Sequence, residues 1–140
     1  MISKTDKLTI LLVEDNAGDV YMVREAMVEA GLSPNLHVVQ TGIQAMDFLH
    51  RRGAFSSFPQ PDLVILDLNL PAKPGQEVMA EIEATPSLRN LPIAVFTTSQ
   101  SERDICARYP RLHSMFALKT PMLSELVEIV KSFDLFARTA

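Results

Sequence analysis

The chain has 140 residues, 47% of them hydrophobic and 21% charged, with a formal net charge of −4. That length is a prior for one domain able to bury a core, and the composition argues against disorder and against a coiled coil. The acid excess argues against nucleic acid as the main partner, which needs a basic face. No apolar run approaches the roughly 20 residues of a membrane span, so no membrane association is expected.

The first seven residues are polar and lack the apolar core of a signal peptide, so a cytoplasmic location is expected. The apolar run Leu8–Val13 reads as a strand and ends on Glu14 and Asp15. Val20, Val23, Met27 and Ala30 then recur at helical spacing, predicting a helix over Asp19–Ala30 that Gly31 closes as its C-cap. A strand at Leu36–Val39 and a helix at Gln44–His50 follow. Arg51–Gln60 is longer than a usual connector and reads as a surface excursion. Its Arg51 and Arg52 read as a solvated helix end, where cations suit the dipole. Leu63–Leu66 is the next strand and ends on Asp67. The loop Pro71–Gly75 leads to a helix over Gln76–Ala84. Ile93–Phe96 ends on Thr97 and precedes a helix expected over Glu102–Tyr109. Met115–Leu118 ends on Lys119, and the last helix, Leu123–Phe133, carries the stripe Leu126, Ile129, Val130 and Phe133. A domain over 8–133 is expected, with short tails at 1–7 and 134–140. No repeat or low-complexity stretch marks a second domain, and an output module is not expected.

Strand and helix alternate five times, and the strands are almost unbroken apolar runs. Both features predict an α/β fold with a parallel sheet covered on each face. Such folds place their sites where the strand ends converge. Glu14, Asp15, Asp67, Thr97 and Lys119 would meet there: three acids, a hydroxyl and an ammonium, a set suited to a divalent cation plus a phosphoryl group. Asp67 is the expected nucleophile toward phosphorus. A hard cation would offset the meeting of two anions, with Asp15 and Asp67 as ligands and Glu14 holding a coordinated water. Lys119 would supply a point charge to the phosphoryl oxygens, and Thr97 a hydrogen bond. Each residue alone has a plainer reading: a helix N-cap for the paired acids, a surface lysine, a strand-end threonine. His37, His50 and His113 lack ligand-like spacing, so none reads as a zinc ligand or phosphodonor. The single Cys106 excludes an intrachain disulfide and is expected to pack as a small apolar side chain.

The runs Leu11–Asn16 (LLVEDN) and Val64–Pro71 (VILDLNLP), with Thr97–Ser99 (TTS) and Lys119 at matching intervals, resemble the receiver domain of two-component response regulators. The resemblance covers about Leu8 to Phe133. It implies a flavodoxin-like three-layer sandwich with strand order 2-1-3-4-5, and Mg²⁺ held by Glu14, Asp15, Asp67 and the backbone carbonyl of Asn69. It also implies a sensor histidine kinase as phosphodonor and a switch in which Thr97 moves and Phe116 swings inward behind it. A receiver assists its own phosphotransfer and dephosphorylation without being a conventional turnover enzyme. The stretch Phe48–Gly53 and the LDLNLP run are similar to the stand-alone regulators paired with bacterial phytochrome kinases. Those relatives signal to a downstream protein or relay partner. They often form homodimers through helix 4, strand 5 and helix 5, with which Phe133, Leu135 and Phe136 are compatible.

Two positions depart from the family pattern. Many receivers carry proline directly after the lysine in a cis bond that aims it, whereas here the order is Lys119-Thr120-Pro121. Pro74 stands where many relatives carry aspartate. Three alternatives stay open at this level. A haloacid-dehalogenase-like phosphatase would use Asp67 but needs an acid where Asn69 stands. A flavin or nucleotide binder would suffer repulsion from Glu14 and Asp15. A degenerate receiver would act as a phosphorylation-independent protein-binding scaffold.

Overall fold

The computed structural model describes residues 6–140, so the expected N-terminal tail lies outside it except for Asp6 and Lys7. Five strands form one parallel sheet: β1 (Thr9–Val13), β2 (Asn35–Val39), β3 (Leu63–Leu66), β4 (Ile93–Thr97) and β5 (Ser114–Leu118). Their order is β2-β1-β3-β4-β5, as expected. The strand alternation sends Leu11, Val13, Val64, Leu66, Ile93 and Val95 to one face, under α2 (Gly42–Leu49) and α3 (Gly75–Ala84). Ile10, Leu12, Leu63, Ile65, Ala94 and Phe96 go to the other, under α1 (Ala17–Glu29) and α4 (Leu123–Arg138). Burial on both faces is why the three central strands read as unbroken apolar runs. No helix among the described residues is long and apolar enough to cross a membrane.

Helix ends follow local chemistry. At the end of α1, Gly31 adopts φ 74°. Its N–H donates to Val28 O and that of Leu32 to Met27 O, the paired bonds of a Schellman cap. The end of α2 repeats this pattern with Arg51 at φ 55°, so the basic pair is indeed a helix end. The Arg51–Gln60 connection is packed rather than a free excursion. Phe55 packs tilted on Phe48 and Phe58 edge-on to it, with ring centroids at 5.4 and 5.5 Å, and Phe58 packs tilted on His37 of the edge strand at 5.2 Å.

Two expectations about helices are corrected. Glu102–Tyr109 is not an α-helix but two 3₁₀ turns, Gln100–Glu102 and Ile105–Arg108. Pro110 disfavours the α conformation at Tyr109, which sits at φ −128° and ψ 68°. The segment before it offers too few apolar positions to offset helix nucleation. The segment is tied down instead by Ile105, buried in the core, and by the Tyr109 hydroxyl donating to Gln76 O at 3.2 Å. The last helix continues past Phe133 through Arg138, because Ala137 prolongs the buried stripe Leu126, Val130, Phe133. The Arg138–Asp134 pair at 2.9 Å also supports that final turn. Phe133 is only 1% exposed and so belongs to the core, not to any dimer contact. Phe136 stacks on His113 at 4.5 Å, and Leu135 alone of the three faces solvent.

Candidate functional site

All five expected residues sit at the carboxyl edge of the sheet, each directly at or after a strand end. Backbone hydrogen bonds carry the ladder past the strands: Glu14 N–H donates to Val39 O at 2.9 Å, Asp67 N–H to Val13 O at 3.2 Å and Lys119 N–H to Thr97 O at 2.8 Å. The register Val13↔Leu66 sets Glu14 beside Asp67, and Thr97↔Leu118 sets Thr97 beside the strand end that carries Lys119. The side chains are therefore presented by rigid backbone. Among the described residues, Glu14, Asp67 and Thr97 are the buried polar or charged ones, and all belong to this edge. A polar side chain is costly to bury unless partnered, so this concentration singles out the edge.

Carboxylate oxygens of Glu14, Asp15 and Asp67 lie within 4.8 Å of one another. Lys119 donates to Glu14 Oε1, to Asp19 Oδ2 at 2.9 Å and to Asp67 Oδ2 at 3.1 Å. The other Asp67 oxygen accepts the Asn69 N–H at 3.1 Å, and Glu14 Oε2 accepts that of Asn16 at 3.1 Å. Burial raises the Glu14 carboxyl above the usual carboxylate range, against the lowering effect of its hydrogen bonds from Lys119 and Asn16, while the Asp67 charge adds to the rise. For Lys119 the balance runs the other way. Burial would depress the ammonium, but the bonds to Glu14 and Asp19 and the Asp67 charge hold its pKa above the usual lysine value.

Three close carboxylates, two of them buried, form an all-oxygen donor set with more negative charge than one ammonium can balance. That is the chemistry a hard divalent cation requires. Asn69 is exposed beside them. Phe116 is half-buried on β5 and packs on the core face beneath α2 and α3. The Lys119–Thr120 bond is trans, since no cis peptide occurs among the described residues. Strand ends alone do not single out Asp19, which the helical spacing places only at the start of a helix. Its spacing was the available signal, because it stands one helical turn past Asp15 on the first turn of α1. The histidines lie elsewhere: His37 in the aromatic cluster, His113 on Phe136, and His50 3.4 Å from Glu81. Cys106 is half-buried against the core.

Residues 10–131 match the response regulator receiver domain. The chain belongs to that family. It is 38% identical over 127 residues to response regulator Rcp1 of Synechocystis, covering 91% of this chain and 86% of that protein. The phosphorylated cyanobacterial phytochrome response regulator RcpA superposes with a TM-score of 0.83 at 36% identity, over 96% of this chain and 97% of the other. The manganese-bound form of Rcp1 superposes at 0.80 and 36% identity, over 94% of each chain. Receiver domains bind a divalent metal at an acidic site, and the Glu14–Asp15–Asp67 cluster has the composition for it. The match sets aside the phosphatase and nucleotide-binder readings.

Proposed function

We propose that this response regulator accepts a phosphoryl group from a histidine kinase onto Asp67 in a Mg²⁺-dependent reaction, and signals by the surface change that follows. The observation that carries the reading is the buried Asp67 carboxylate, held by Lys119 at 3.1 Å inside a cluster of three acids. In the transfer, an Asp67 oxygen forms a bond to phosphorus as the phosphorus–nitrogen bond of the phosphohistidine breaks, and the electron pair leaves with the imidazole. Glu14, Asp15, Asp67 and the Asn69 carbonyl are the groups that would hold Mg²⁺, which when bound neutralises charge on the phosphoryl oxygens. Lys119 supplies a second positive charge to those oxygens and Thr97 a hydroxyl. Phe116, half-buried on the edge strand, supplies the packing readout. The protein assists its own transfer and dephosphorylation and is not a turnover enzyme.

The similarity to Rcp1 and RcpA supports a bacterial phytochrome as the kinase partner, in a cytoplasmic setting. The output leaves by protein contact through the 3₁₀ segment, β5 and α4, where exposed Leu135 is available to a downstream protein or a second copy.

Intact-mass analysis after incubation with acetyl phosphate, with Mg²⁺ or EDTA, tests this. Wild type gains one phosphoryl adduct only with Mg²⁺, and Asp67→Asn gains none. An adduct that persists in the variant moves the acceptor elsewhere. No adduct in wild type, even with a phosphorylated phytochrome kinase as donor, leaves the scaffold reading in its place.

A further inference from the structure

Lys119 has three N–H donors and no acceptor. All three are used, on Glu14, Asp19 and Asp67. Two of those partners, Glu14 and Asp67, belong to the acid cluster, whereas Asp19 does not. When a cation and a phosphoryl group draw on Glu14 and Asp67, Asp19 is the one carboxylate left on the ammonium.

We propose that Asp19 is a positioning residue for Lys119, the carboxylate that keeps the ammonium aimed at the acceptor during phosphoryl transfer. The proposal rests on the phosphoacceptor reading above. Three further observations support it. Asp19 is rigidly presented: its N–H donates to the Asn16 cap at 2.9 Å, and its carboxylate sits on the first turn of α1, where the helix dipole favours an anion. Lys119 lacks a proline directly after it, and its peptide bond to Thr120 is trans. The backbone, held at Thr97 O, fixes only where this long flexible side chain starts, so the aim of the ammonium comes from its partners rather than from a proline-constrained turn. Finally, a cavity of about 420 Å³, lined by Asp19, Met22, Phe96, Pro121 and Leu126, adjoins the lysine on the α1 side. Without the Asp19 carboxylate, the ammonium has room to leave the acceptor on that side.

The test compares wild type, Asp19→Ala and Asp19→Asn. The Asn16 cap uses the backbone of Asp19, so neither substitution removes it. Single-turnover phosphorylation by acetyl phosphate at saturating Mg²⁺ is read alongside Mg²⁺ affinity by calorimetry. Asp19→Ala is expected to slow transfer about tenfold, the scale of one lost hydrogen bond between charged groups. Mg²⁺ affinity should stay within about twofold, because Asp19 lies outside the cation's ligand set. Asp19→Asn keeps an oxygen acceptor in place and should recover most of the rate. Unchanged transfer in Asp19→Ala, a loss that follows weakened Mg²⁺ binding, or an Asn variant as slow as the Ala variant each overturns the proposal. The ¹⁵N ammonium resonance of Lys119 gives a readout independent of transfer: visible in wild type, lost in Asp19→Ala. If wild type takes up no phosphoryl group, the phosphoacceptor reading fails, while this resonance still decides whether Asp19 holds Lys119.

Discussion

Two charged clusters flank the loop that follows Asp67, and they are built in opposite proportions. At the sheet edge one ammonium, Lys119, is shared by Glu14, Asp19 and Asp67, with Asp15 alongside. Across the loop one carboxylate, Glu81, is shared by Lys73 and by His50 at 3.4 Å. The consequences have opposite sign. Burial, with the Asp67 charge added, raises Glu14, whereas the Lys73 hydrogen bond, aided by His50, lowers Glu81 against a smaller effect of burial. The first cluster carries surplus negative charge that only an added cation can balance. The second is complete in itself and fastens the loop. A site must be left electrostatically unfinished to bind its ligand; its support need not be.

The largest effects come from the unfinished cluster. Asp67→Asn is expected to abolish phosphoryl acceptance and, unusually for a buried substitution, to raise the melting temperature of the metal-free protein by about 3 °C, because one crowded carboxylate is neutralised. Mg²⁺ at 100 times its Kd should stabilise wild type by about 2.7 kcal/mol, and the Asn variant by much less. Calorimetric melts with and without Mg²⁺ measure both. A destabilised Asn variant would mean that the Lys119–Asp67 pair outweighs the repulsion, and the contrast between the clusters would fall.

Next comes the loop between them. A Cβ at Gly75 would lie 2.4 Å from Asp67 O and 2.7 Å from Leu68 Cα, both backbone atoms that cannot step aside. Gly75→Ala is therefore expected to cost about 2–3 kcal/mol in denaturant unfolding, and to slow phosphoryl acceptance through displacement of Asp67. Ala72, at φ 67° within a γ-turn closed by Lys73 N–H on Pro71 O at 2.7 Å, is strained in the same loop. Full stability in the Gly75→Ala variant would show that the loop is held less firmly than these contacts imply.

The parts legible in the sequence were those written into single residues or short periods. Unbroken apolar runs marked strands buried on both faces, and the residues ending them marked the site. Gly31 marked a helix end because the left-handed position it fills favours glycine. Arg51 fills the equivalent position at the end of α2 without that signature. The fourth expected helix failed because Ile105, Cys106 and Tyr109 resemble half a stripe, while Pro110 denies the segment its last turn. Asp19 escaped notice because its role depends on how α1 packs against β5's end, a tertiary fact to which its spacing from Asp15 is the one local pointer. The Lys73–Glu81–His50 cluster was invisible for the same reason, since three elements contribute one residue each.

The smallest predicted effect tests the sign of the contrast. Glu81 has a lowered pKa, so its contribution to stability is present above its ordinary value of 4.5 and is lost as pH falls through the lowered value. Glu14 is raised, so the contribution tied to its protonated form is present in acid and lost as pH rises through the raised value. Glu81→Gln should therefore be less stable than wild type at neutral pH by up to about 1 kcal/mol, as befits a partly exposed pair. The gap should narrow as pH falls below 4.5 and close once the pH has passed through the lowered value, where the wild-type carboxylate is itself protonated. Asp67→Asn, by contrast, should show its stability gain at neutral pH and lose it in acid, where wild-type Glu14 is neutral and the crowding is already relieved. Urea titrations of both variants across this range would show curves that converge on wild type from opposite sides. Convergence from the same side would mean that the two clusters do not differ in the sign of their charge imbalance.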